Sequence, residues 1–345
     1  DDSTTAEQVW ENLAAKYPNT VDADHALFWL GKLTAARGDK AKADAFLQEA
    51  SKPPRSYYSY RALDLLGRPD AAPSFDVNNY TMNSRPELVA GFEKWLAGWT
   101  GGAAVSGDLT PAVLSDFHFR RGSELAELDQ AADARIEFSK VNDRFSADAR
   151  SLYSLARYYS DNNYFDLSIA AANQIKSLSG TPDEQLPRYL RELIYPTYYA
   201  NLVVPYAQRA GFDPMLFFAL MRQESMYNPL AKSWVGATGL TQVMPGTGAG
   251  IARELGVGNF KITDLLKPYN SVRFGTYYLG QLYKNFDGNS IYALAGYNAG
   301  PGNVKKWIRP DMDVAVELIH LSETYHYVRT IYSQYNQYQE IYGAR

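Results

Sequence analysis

Apolar residues recur at three- and four-residue spacing through most of this chain, and alternation of period two is almost absent. Residues 6–18, 23–39 and 40–51 each carry this helical rhythm, with Pro18, Gly38 and Asp39 as punctuation. Residues 115–141 and 146–175 repeat the same grammar of helix followed by helix. Small residues at Gly31, Ala35 and Ala43 suit a close crossing of paired helices. Between the two sets, residues 66–86 are rich in Pro, Asn, Ser and Asp and read as a long connection. A helix pair buries its apolar face only on a neighbour, so residues 1–180 are expected to form an α-helical superhelix, or solenoid. Residues 177–187, with Ser, Gly, Thr and two prolines, mark the expected boundary. Beyond it glycines become frequent and helices shorter, and residues 186–345 are expected to be a second, predominantly helical domain whose loops carry chemistry.

Composition narrows the function. Aromatic residues reach 14%, with 27 tyrosines, a surplus that suits either helix packing or the gripping of chains and sugars; packing accounts for most of them. A net charge of −4 argues against a general nucleic-acid binder. Residues 181–345 carry 15 Lys and Arg against 13 Asp and Glu, a balance too slight to point to a partner. The absence of cysteine excludes disulfides, thiolate nucleophiles and cysteine–zinc sites. His25, His118, His320 and His326 show no metal spacing, and His320 and His326 suit a helix surface or cap. The glycines at Gly246–Gly250 follow no βαβ unit, and Asp311 and Asp313 do not open a calcium loop. No cofactor is implied. No apolar run approaches a membrane span, and residues 1–10 do not read as a signal peptide, so export implies a signal already removed.

The densest candidate chemistry lies after residue 210. Asp213 suits a helix N-cap and Pro214 the first helical position, with Asn228-Pro229 ending the helix after about Met226. Phe217 and Met221 share one face, and Glu224 falls next on that stripe. A carboxylate on an apolar stripe is costly to ionise, so its pKa should rise toward what a general acid needs. Taken alone, Glu224 reads more readily as a structural acid paired with Arg222, Arg273 or a backbone donor, since structural glutamates far outnumber catalytic ones. A glycine-dense loop follows, with Ser233, Gln242 and Met244, and further on Tyr297 and Asn298 precede a Gly-Pro-Gly turn. Polar groups beside apolar surfaces are what sugar rings require.

In sequence order, residues 194–214, 219–247, 266–286, 293–307 and 317–335 resemble the successive motifs of the soluble lytic murein transglycosylases. The catalytic domain of that family is similar to goose-type lysozyme. The resemblance covers about residues 186–341. In the first part, residues 56–69 resemble a helix of the family's superhelical portion, and residues 30–50 resemble a tetratricopeptide-like hairpin without the full repeat signature. Position by position, Glu224 matches the catalytic glutamate, and Ser233, Gln242, Met244, Tyr297 and Asn298 match positions lining the saccharide groove. Glu323 matches a second acidic position that supports the site and is not a nucleophile. Three residues depart from the pattern. Thr241 stands where Met is usual, Gly296 where Ala is usual, and Tyr325 where an Arg is expected.

Most glycosidases flank the scissile bond with two carboxylates, but here Asp213, Asp264 and Asp287 read as cap or turn residues. The resemblance implies a lytic transglycosylase. Glu224 would be the single general acid and base, cleaving the MurNAc-β-1,4-GlcNAc bond without water to leave 1,6-anhydro-MurNAc ends. A hydrolase on the same fold and a non-catalytic glycan-binding protein are the alternatives. The implied partners are peptidoglycan strands in the bacterial cell envelope. The helical array would widen the groove, dock a partner enzyme of the envelope, or serve as a structural platform for the catalytic domain.

Overall fold

The computed structural model describes residues 3–67 and 85–343; most of the connection expected at 66–86 therefore lies outside the described residues. The described chain is all-α, as its periodicity requires. It holds helices joined by short loops, and the extended pairing present consists of isolated bridges from Thr238 to Lys232 and Val243. Two compact units emerge, one from residues up to 72 and the other from most of residues 73–342.

The first unit comprises α1 (Ser3–Lys16), α2 (Val21–Ala36), α3 (Lys40–Ala50) and α4 (Tyr57–Leu65). Thr20 caps α2 by accepting from the Ala23 amide, and Asp39 caps α3 by accepting from Lys42. The α2–α3 crossing is close at Gly31, where a Cβ would lie 2.7 Å from Leu47 Cγ. Ala43 is buried in that contact. Ala35 is exposed and takes no part in it, contrary to the expectation from its size.

The second unit begins with α5 (Pro86–Trp99), α6 (Pro111–Ser115), α7 (Phe117–Glu127), α8 (Ala131–Arg144), α9 (Ala149–Asp161), α10 (Phe165–Ser179) and α11 (Arg188–Ile194). Asp116 and Asp148 cap α7 and α9, and α7 pairs with α8 as α9 pairs with α10. Ala171 and Ile175 of α10 share a core with Leu190, Leu193 and Ile194 of α11. There follow α12 (Ala200–Ala210), α13 (Pro214–Ser225), α14 (Pro245–Glu254), α15 (Pro268–Asn285), α16 (Ser290–Ala299), α17 (Pro301–Trp307), α18 (Met312–Glu317) and α19 (Ser322–Tyr342).

Much of the tyrosine surplus is explained by α19, which lies against α13 and α16. Its Tyr338 hydroxyl reaches Pro196 O at 2.8 Å and the Tyr227 hydroxyl at 2.9 Å. Tyr342 donates to Tyr195 O, and Tyr335 donates to Asp213, the residue that caps α13. Each phenol packs its ring against neighbouring residues and gives its O–H a hydrogen-bond partner. These contacts fix α19 against the start of α13, which sets the register of the site at the other end of that helix.

Candidate active site

Helix α13 starts where its sequence dictates. Asp213 accepts from the Met215 amide at 2.9 Å and Pro214 occupies the first helical position. Phe217 and Met221 are fully buried, and Glu224 sits one turn on, partly exposed. The helix ends at Ser225, because Met226 and Tyr227 both adopt left-handed backbone, at φ 48° and 64°. That double reversal sends the following loop back toward the helix end, where Ser225 Oγ donates to Leu240 O at 2.9 Å.

The loop is braced from within. Gly239 has φ +80°, and a Cβ there would lie 2.0 Å from Leu265 O, so glycine alone fits. Gln242, itself at φ 47°, donates its amide to Gly239 O (2.8 Å) and Ala231 O (3.1 Å). Ser233 Oγ accepts from the Ala237 amide at 3.0 Å. Both side chains thus shape the loop, while Met244 at its end is exposed. Thr241 is buried and bonds Ser271 O, with Gly275 so close that a Cβ there would lie 2.7 Å from the threonine side chain.

Two more helices complete the arrangement. From α16, the Tyr297 hydroxyl donates to Thr241 O at 2.8 Å. The adjacent Asn298 donates to Glu323 Oε1 at 3.2 Å and accepts from Thr324 Oγ1 at 2.6 Å. From α19, the Tyr327 hydroxyl donates to Glu224 Oε1 at 2.5 Å. Arg222 instead donates to Ile194 O and lies over the Tyr195 ring, so the structural-pair reading of Glu224 with Arg222 does not hold.

These neighbours set the electrostatics. Burial of the Glu224 carboxyl pushes its pKa from 4.5 up to about 7; the Tyr327 hydrogen bond pulls the other way, and the nearby Glu323 charge adds to the rise. Tyr327 and Tyr297 are held well above the ordinary phenol range, first by burial and then by the Glu224 charge. Both hydroxyls therefore stay protonated and act as donors. An acid that is half ionised near neutrality can give a proton and take one back at the same pH.

Of the residues singled out in the sequence, Glu224, Tyr297, Asn298 and Glu323 come together around the carboxyl. Ser233, Gln242 and Met244 share the loop behind it. Tyr327 and Thr324 were missed. Tyr327 has a local signal in the four-residue step from Glu323, which places those two on one face of α19, while Thr324 has none of this kind. The three departures have local settings: Thr241 fits against Gly275, a Cβ on Gly296 would press Leu282 and Phe286 at 3.1 Å, and Tyr325 carries the Arg329 guanidinium 4.6 Å above its ring. No group of His, Cys, Asp and Glu among the described residues is arranged to hold a metal. Cavities of about 310 and 320 Å³ occur elsewhere, and Glu224 lines neither.

Residues 201–319 match the family described as Transglycosylase SLT domain. The chain is 34% identical over 197 residues to a soluble lytic murein transglycosylase of Salmonella typhimurium, covering 55% of this chain and 29% of that protein. It is 36% identical over 192 residues to the Escherichia coli protein of the same name, covering 53% and 28%. Among solved structures it resembles the 70 kDa soluble lytic transglycosylase of E. coli, with TM-score 0.68 and 25% identity over 99% of this chain and 52% of that one. An inactive mutant of lytic transglycosylase Slt from Pseudomonas aeruginosa shares the fold, with TM-score 0.70, 24% identity, and coverage of 99% and 50%. The chain thus spans about half of these solved relatives, and its sequence match less than a third of the curated ones.

Proposed function

Because the chain belongs to the soluble lytic murein transglycosylase family, we propose that it cleaves murein glycan strands between N-acetylmuramic acid and N-acetylglucosamine, leaving 1,6-anhydro ends. The observation that carries this reading is the Glu224 carboxyl, held at a pKa of about 7 with Tyr327 as its hydrogen-bond donor. Protonated Glu224 gives its proton to the glycosidic oxygen as the C1–O bond breaks and the N-acetylglucosamine hydroxyl leaves. The substrate's own N-acetyl oxygen shields the charge at C1. Glu224, now ionised, accepts the proton of the muramoyl C6 hydroxyl as O6 closes on C1. The carboxyl ends as it began, and no water is consumed.

Glu323 suits a supporting role. It is exposed and held by Asn298, and its negative charge helps keep Glu224 protonated before the first step. Residues 186–345 form the catalytic region in this reading, with Ser233, Gln242, Met244, Tyr297 and Asn298 shaping the saccharide groove. The site of action is the bacterial envelope, where murein lies. No helix among the described residues is long and apolar enough to cross a membrane. The helices before residue 180 serve as a platform for this region or as a docking surface for envelope partners.

The test is release of soluble muropeptides from purified sacculi by the wild type and by Glu224→Gln. Release by the wild type only is the expected result. Equal release by both proteins would remove Glu224 from the chemistry.

A further inference from the structure

Trp234 stands apart from the other exposed large apolar side chains among the described residues: it is 97% exposed. It occupies the second position of a tight turn held at three points. The Gly236 amide donates to Ser233 O, the Ala237 amide to Ser233 Oγ, and the Ser233 amide to Ala237 O, all at 2.9–3.0 Å. Gly236, at φ +91°, sits against Pro245 at the start of α14, so the turn is supported from below. Its backbone is therefore fixed, and the indole is presented outward. Two further exposed apolar side chains, Val235 and Met244, belong to the same loop.

An indole left in water gives up the burial of roughly 150–250 Å² of aromatic surface. A rigid turn that keeps it there favours a ligand with a flat apolar face and a polar rim, since the indole offers a flat face and one N–H. A pyranose ring has that form: axial C–H groups on its face and hydroxyls at its edge. Lys232 and Ser233 precede it in the chain, so polar residues flank the exposed apolar ones of this loop.

We propose that Trp234 is a stacking platform for a pyranose ring of the glycan strand, a binding position added to those of Ser233, Gln242, Met244, Tyr297 and Asn298. The inference rests on the reading that the chain acts on murein glycan. Stacking of this kind binds ground state and transition state alike, so its loss raises KM and leaves kcat near its starting value.

The test uses a β-1,4-linked N-acetylglucosamine pentamer, titrated calorimetrically into the Glu224→Gln protein with and without Trp234→Ala. Affinity should fall about 3- to 10-fold and be largely restored by Trp234→Tyr. On sacculi, Trp234→Ala should raise KM by a similar factor. Unchanged pentamer affinity and unchanged KM would overturn the platform while leaving the reaction standing. If the wild type released no muropeptides yet Trp234→Ala still lost pentamer affinity, the platform would stand and the reaction would fall.

Discussion

Replacing Glu224 with Gln should make the protein more stable, and only above mildly acidic pH. The fold raises the Glu224 pKa from 4.5 to about 7, so the native state binds this proton more tightly than the unfolded chain does. Below pH 4.5 the carboxyl is protonated in both states and costs nothing. As pH rises from 4.5 through 7, the unfolded chain releases the proton first and native stability falls, with the loss complete above 7. The full difference corresponds to about 3 kcal/mol, an upper figure for a carboxyl that keeps some contact with water. Gln retains an oxygen that can accept from Tyr327 and never ionises, so the variant lacks this titration. The assay is thermal unfolding of wild type and variant from pH 4 to 8. Their difference cancels every other titrating group. The variant's advantage should be near zero at pH 4 and grow to at most about 4–5 °C at pH 8. A difference that stays flat with pH would refute the reasoning, because the carboxyl would then titrate as it does in water.

Two neighbours should move the alkaline limb of the activity profile in opposite directions. Tyr327→Phe removes the donor that favours the ionised form, so the limb moves to higher pH while kcat falls; a pH–rate series on sacculi measures both. Glu323→Gln removes a like charge, so the same limb moves to lower pH, and a shift upward would contradict the assignment. Gly239→Ala drives a Cβ into Leu265 O and strains a positive φ, costing about 3 kcal/mol or more, read as a fall in unfolding temperature.

The helical periodicity and the cap at Asp213-Pro214 are local signals, which is why the element types were legible in the sequence; the caps at Thr20, Asp116 and Asp148 are local too but emerge only in the structure. The place of Glu224 on the stripe after Phe217 and Met221 was legible for the same reason, since it needs only the helical repeat, whereas its proposed catalytic role came from the resemblance. Tyr327 was not, because its partner lies 103 residues away and the pair meets only when α19 packs on α13. Residues 177–187 look like a linker in sequence, and the apolar faces of α10 and α11 on either side of them share one core. The roles of Ser233 and Gln242 depend on left-handed turns at Met226, Tyr227 and Gln242, conformations that these residue types do not advertise.

The most direct test of the central claim is digestion of sacculi by the wild-type protein in heavy-oxygen water, with products read by mass spectrometry. The account predicts unlabelled muropeptides ending in 1,6-anhydro-N-acetylmuramic acid, because O6 of the substrate and not water closes on C1. Heavy oxygen at a reducing end would contradict it and make the protein a hydrolase.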